Sequence, residues 1–144
     1  MNCKVITAEA LSRDLESMTS LFRRLTKPGS DFNRKLHRWM TLTPAVPEDG
    51  SIAIVREDDE VIGWARTESW QPDASWDTLE AFVDPAHRGR GVAAFAAAGL
   101  VAARAVGDGH PVAVFAPPML LLARRVGLRP VLFLKDDAGR WVRQ

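Results

Sequence analysis

Apolar residues recur along this chain in two rhythms, and the changes between them mark out the elements. Cys3 to Ile6 is a short apolar-rich run that predicts a first strand, with Thr7 placed to cap the next element. Leu11, Leu15, Met18, Phe22 and Leu25 then recur at alternating steps of four and three, which predicts a helix from Ala8 to Leu25 with one buried stripe. Lys27-Pro28-Gly29 breaks it. Ser30 caps a second short helix carrying Phe32, Leu36, Trp39 and Met40 inward, with Asp31, Arg34, Lys35 and Arg38 on its solvated side. Thr41 to Gly50, with Pro44 and Pro47, reads as a loop. Ser51 to Arg56 and Val61 to Ser69 flank the polar turn Glu57-Asp58-Asp59-Glu60 and predict a β-hairpin. Gln71 to Asp77 is a polar loop before a strand from Thr78 to Val83.

The second half alternates strand and helix. Pro85 cannot donate to a ladder and stops the strand at Asp84. The alanine-rich run from Val92 to Val106 is a helix that Gly107-Asp108-Gly109 ends. Pro111 to Ala116 is a strand, Pro117-Pro118 opens a helix through Val126, and Gly127 closes it. Val131 to Lys135, Asp136 to Arg140 and Trp141 to Arg143 form a closing hairpin. The predicted order is β-α-α-β-β-β-α-β-α-β-β. One domain over residues 1–144 is expected, long enough to bury roughly two-thirds of its unfolded surface.

The segment richest in chemistry is the turn Arg88-Gly89-Arg90-Gly91 between strand and helix. Helix N-termini present backbone N–H groups without intrahelical partners, at the positive end of the dipole. With Arg88 and Arg90 beside them, those donors suit a phosphate or pyrophosphate; the alternative is a solvated turn. A P-loop would need Lys-Ser/Thr where Val92-Ala93 stands, and Gly89-Arg90-Gly91-Val92-Ala93-Ala94 is a weak version of a dinucleotide fingerprint.

Composition narrows the field. A net charge of +1 gives no case for bulk attraction to nucleic acid or membrane, and no apolar run reaches the ~18 residues needed to cross a bilayer. One cysteine, Cys3, excludes an internal disulfide or cysteine metal cluster and suits a reducing compartment, so a cytoplasmic location is expected. His37, His87 and His110 lack the spacing or carboxylate companions of a metal site. No Ser and His fall into a nucleophile-elbow pattern.

Read as R/Q-x-x-G-x-G/A, the residues Arg88-Gly89-Arg90-Gly91-Val92-Ala93, preceded by Val83-Asp84-Pro85, resemble the acyl-CoA-binding motif of the GNAT superfamily of N-acyltransferases. The element order resembles that family over nearly the whole chain. The resemblance implies an α/β fold with a mixed, mostly antiparallel sheet flanked by helices, splayed between the strands Thr78–Val83 and Pro111–Ala116. It implies acetyl-CoA as acyl donor, with no metal, and a primary amine as acceptor, either a small molecule or a protein. It also implies pairing into a homodimer. Phe82 and Val83 would hold the pantetheine arm, and one of their N–H groups the oxyanion. Arg88, Gly89, Arg90, Gly91, Val92 and Ala93 would hold the pyrophosphate.

Amine acylation needs a base for the ammonium, donors for the oxyanion and a proton for the thiolate. Glu80, on the strand where the family often carries a catalytic glutamate, is the first candidate base and Glu68 the second. By the period of two, Glu80 shares a face with Phe82, where it equally suits solvent or an arginine on a neighbouring strand. The family's Asn and Tyr near the last helix align with Ala116 and Ala123, and the chain has no tyrosine at all. That departure favours an alternative, a GNAT-like module that binds acyl-CoA or a protein partner without turnover. Trp39, Trp70 and Trp76 are candidate acceptor contacts, as are the acids Asp31, Glu68, Asp73 and Asp77. Arg124 and Arg125 sit well at a helix C-terminus for dipole reasons alone, with a CoA phosphate as the other candidate partner.

Overall fold

A computed structural model of the chain describes residues 1–7, 50–58, 60–69, 76–106 and 111–144. The two helices expected before Thr41 lie outside these residues, with Trp39, Trp70, His37, His110, Asp31 and Asp73. The first three strands are β1 (Asn2–Thr7), β2 (Ser51–Glu57) and β3 (Glu60–Thr67), joined in antiparallel order. Asp58 supports the hairpin turn with a left-handed backbone, φ +52°. Ile52 to Val55 are buried on both faces, as expected for a central strand rich in β-branched residues.

The predicted strand Thr78–Val83 forms two pieces, β4 (Asp77–Thr78) and β5 (Glu80–Val83). Along its β3 side it is continuous. Gly63 to Arg66 pair with Val83 to Glu80, the Thr78 N–H donates to the Glu68 carbonyl at 2.8 Å, and Ser69 bridges Asp77 in the same register. On the other side, β4 runs parallel to β6 (Pro111–Val114), and the last link is the Leu79 N–H to the Ala113 carbonyl at 3.1 Å. Among the described residues, β5 pairs beyond Leu79 with β3 alone. The sheet therefore splays at that residue. β6 continues parallel to β7 (Arg129–Lys135), and β8 (Trp141–Arg143) closes the edge antiparallel.

Helices α1 (Val92–Ala102) and α2 (Pro117–Arg125) pack on one face of this sheet. Val92, Ala96, Ala97 and Leu100 of α1 are buried with Ala53, Val55, Ala65, Val112 and Val114 from the strands. Small alanines let the helix lie close, and burial of each larger aliphatic contributes about 1.5–3 kcal/mol. Ala123 of α2 and Leu128 extend the same core.

The end of α1 falls earlier than expected. Helix α1 stops before Gly107, because Arg104 takes a left-handed backbone (φ +56°) and ends it. The Arg104 N–H then reaches the Val101 carbonyl and the Ala105 N–H the Leu100 carbonyl, a Schellman ending. Helix α2 ends the same way with Gly127 at the left-handed position.

Candidate acyl-CoA site

Among the described residues, the splay leaves one edge of β5 unpaired. Backbone groups of a strand alternate sides, and the Thr78 and Asp84 N–H groups both donate towards β3, to Glu68 and Ile62. The Glu80 and Phe82 amides therefore point into that ladder. Those of Ala81 and Val83 point the other way, with that of Leu79, into the gap between β5 and β6. Of the two amides implied for the oxyanion, Val83 faces the gap; Ala81 is the one that residue types alone do not single out.

At the end of β5 the chain turns sharply. The Asp84 carboxylate accepts the Ala86 N–H at 3.1 Å and caps a 3-10 turn over Pro85–His87. His87 Nδ1 lies 3.9 Å from Asp84 Oδ2. Gly89 and Gly91 come next at φ +79° and +77°, and Gly91 is the N-cap of α1. A Cβ at either glycine would meet nothing within 4 Å, so backbone conformation, rather than crowding, calls for glycine there. Residues 88–91 are exposed and Val92 is buried. The first intrahelical donation into this turn is from Phe95 to the Gly91 carbonyl at 2.9 Å, which leaves the preceding amides facing outward.

The two arginines are held differently. Arg88 Nε donates to the Val83 carbonyl at 3.4 Å, beside the open edge. Arg90 Nη2 donates to Glu57 Oε2 at 2.5 Å, tying the turn to the end of the β2–β3 hairpin. The Arg90 hydrogen bond holds the Glu57 carboxyl below the usual carboxylate range, and the charges of Arg90, the N-terminus and His87 add to this. Glu57 reads in the sequence only as a turn residue. Its role depends on a contact 33 residues away.

Glu80 sits directly opposite Arg66 across the β3–β5 ladder, and Arg66 Nε donates to Glu80 Oε2 at 2.7 Å. The carboxylate side chain is 43% exposed and the guanidinium 24%. Phe82, on the same face, stacks on Trp64 with centroids 6.4 Å apart. Glu68 meets β4 through its backbone carbonyl, which also accepts the Thr78 hydroxyl at 3.2 Å. Ala116 is the N-cap of α2 and offers no side-chain cap; Ala123 is fully buried. Arg124 and Arg125 are exposed in the last turn of α2. Cys3 is half-buried, which pushes its thiol pKa up and makes it a poor nucleophile.

Comparison with known proteins gives this geometry its context. The sequence has no significant match among curated proteins. Among solved structures, the chain resembles a ribosomal-protein-alanine N-acetyltransferase from Brucella melitensis at 16% identity and TM-score 0.53, over 99% of this chain and 95% of the other. It also resembles a GNAT-family protein from Xanthomonas campestris at 19% identity and TM-score 0.51, over 90% and 86%. At these identities the likeness is one of fold. The model of the GNAT acetyltransferase family matches residues 14–115, more than half of the chain and including the splayed strand and the glycine turn. The chain belongs to the GNAT acetyltransferase family.

Proposed function

We propose that this protein transfers an acetyl group from acetyl-CoA to a primary amine by direct attack within a ternary complex. The observation that carries this reading is the meeting of an open strand edge, at Ala81 and Val83, with the exposed glycine turn at the start of α1. The outward amides of residues 89–93, with Arg88 and Arg90, take the pyrophosphate. The open edge takes the pantetheine arm as an added strand would be taken.

The amine nitrogen attacks the thioester carbon, its oxygen gathers negative charge, and the C–S bond breaks to release CoA. The Ala81 and Val83 amides are the donors for that oxygen. Glu80 has Oε2 engaged by Arg66, so its base role runs through Oε1 and a bound water. With no tyrosine in the chain, the thiolate leaves unassisted or takes a proton from water, which its pKa of about 8.5, by analogy with cysteine, permits.

Calorimetric titration with acetyl-CoA and CoA tests the donor site. Binding is expected in the intact protein and lost in Arg88→Ala/Arg90→Ala; no binding at millimolar ligand rules the reading out. In an amine screen, Glu80→Gln is expected to lower kcat by about 10²–10⁴-fold with unchanged CoA affinity. The second reading is a module that holds acyl-CoA or a protein partner without turnover. Alanine at positions 116 and 123 favours it. Robust turnover that collapses in Glu80→Gln excludes it.

A further inference from the structure

The β3–β5 ladder sets two cross-strand pairs side by side. Trp64 lies opposite Phe82 and Arg66 opposite Glu80, and because side chains alternate with a period of two, both pairs share one face. The aromatic pair is stacked, with centroids 6.4 Å apart. In the other, Arg66 Nε donates to Glu80 Oε2 at 2.7 Å, a charge-assisted bond to one carboxylate oxygen. Among the described residues no other hydrogen bond reaches this carboxylate, and with the side chain 43% exposed Oε1 is left to water.

That bond decides where the second oxygen points. The two oxygens of a carboxylate diverge, so drawing Oε2 towards β3 turns Oε1 away from β3, the direction in which the gap beside β5 lies. Glu80 precedes Ala81, whose amide faces the same gap. A proton acceptor and an oxyanion donor therefore stand on consecutive residues of one strand. A glutamate side chain has three rotatable bonds and, unpaired, spreads over many rotamers. Proton removal needs the carboxylate oxygen, or the water it holds, within hydrogen-bond reach of the ammonium. The guanidinium is planar, always charged and the more buried partner, so it fixes the carboxylate in one orientation.

We propose that Arg66 is the positioning residue for Glu80, holding Oε2 so that Oε1, through its bound water, takes the proton of the acceptor ammonium. This rests on the acyl-transfer reading and deepens it by naming what orients the base. The ammonium gives its proton to the water and the water gives one to Oε1, which leaves the neutral amine to attack the thioester carbon. Glu80 returns the proton to solvent after CoA has left. Arg66 stays charged throughout and touches no reacting atom. An ion pair this exposed adds little to stability, so its effect on rate separates from its effect on folding.

The test is acetyl transfer from acetyl-CoA to a panel of primary amines (an alkylamine, benzylamine, a diamine and a peptide with a free N-terminus), followed as release of the CoA thiol. Calorimetric CoA binding and urea unfolding are measured on every variant. Arg66→Met is expected to lower kcat about tenfold to a hundredfold, the scale of an ångström's misplacement, with CoA affinity and urea midpoint nearly unchanged. Arg66→Lys, which keeps the charge and loses the planar fork, recovers part of that loss. In a Glu80→Gln background Arg66→Met costs nothing further, because the group it orients is gone. Unchanged kcat in Arg66→Met, an equal loss in both backgrounds, or a loss that comes only with weaker CoA binding and a lower urea midpoint overturns the proposal and leaves acyl transfer standing. So does a Glu80→Gln variant as active as the parent. Binding of acetyl-CoA without transfer to any amine of the panel overturns both.

Discussion

Arg104 holds a left-handed backbone, φ +56°, which costs a residue with a side chain about 1–2 kcal/mol. Its side chain is exposed and makes no hydrogen bond among the described residues. Arg104→Gly removes the strain but loosens the unfolded chain, an opposing effect of about 0.4–1 kcal/mol. A net stabilisation of about 0.5–1 kcal/mol is expected, read as a higher urea midpoint at unchanged slope. Glu57 poses a different question, because its carboxylate occupies the guanidinium that the proposed pyrophosphate needs. Glu57→Gln is expected to tighten CoA binding several-fold in calorimetry at low salt; weaker binding would mean that Glu57 presents Arg90 to the ligand. The pH dependence has a definite sign. Its carboxyl titrates lower in the folded protein than in the unfolded chain, so the contact stabilises fully above the ordinary glutamate range. That stabilisation is lost as pH falls through the lowered value, and Arg90 is released.

Elements meet at a few close contacts, and among the described residues β3 lies tight against α1. A Cβ at Gly63 would lie 2.6 Å from Val92 Cγ1 and 3.0 Å from the Phe82 carbonyl oxygen. The first residue of α1 can press on β3 only because position 63 has no side chain. Gly63→Ala forces either a helix shift or a breach of the β3–β5 ladder, at a cost of about 1–3 kcal/mol in chemical denaturation. The same substitution moves the glycine turn relative to the open edge, so CoA affinity should fall with it. A variant as stable and as tight in binding as the parent would show that α1 is less closely seated.

The whole molecule is organised by the parting of β5 and β6 after Leu79. Ligand that binds this gap in the folded state alone stabilises it by mass action. Acetyl-CoA at a hundred times its Kd is expected to add about 2.7 kcal/mol, seen as a raised unfolding midpoint that Arg88→Ala/Arg90→Ala abolishes. Much of this architecture is legible in the residues. Pro85 as a stop, the alanine run as a helix and Gly91 at its cap are local choices, decided by φ restriction and missing side chains within a few positions. The alternation that sets Glu80 and Phe82 on one face is equally local.

What the chain alone does not encode in any readable pattern is which charge meets which. Arg66 and Glu80 are 14 residues apart, Glu57 and Arg90 are 33, and the sequence offers several other acids and bases at similar distances. Strand register chose the first pair, and the approach of the glycine turn to the hairpin chose the second. The same holds for the Lys135 ammonium, which lies over the Trp141 ring only because register sets β8 opposite β7. Local conformational preference therefore determined the elements and the turn. Partners between elements were decided by tertiary packing, since Coulomb and ring contacts act over a few ångströms of space, whatever the distance along the chain.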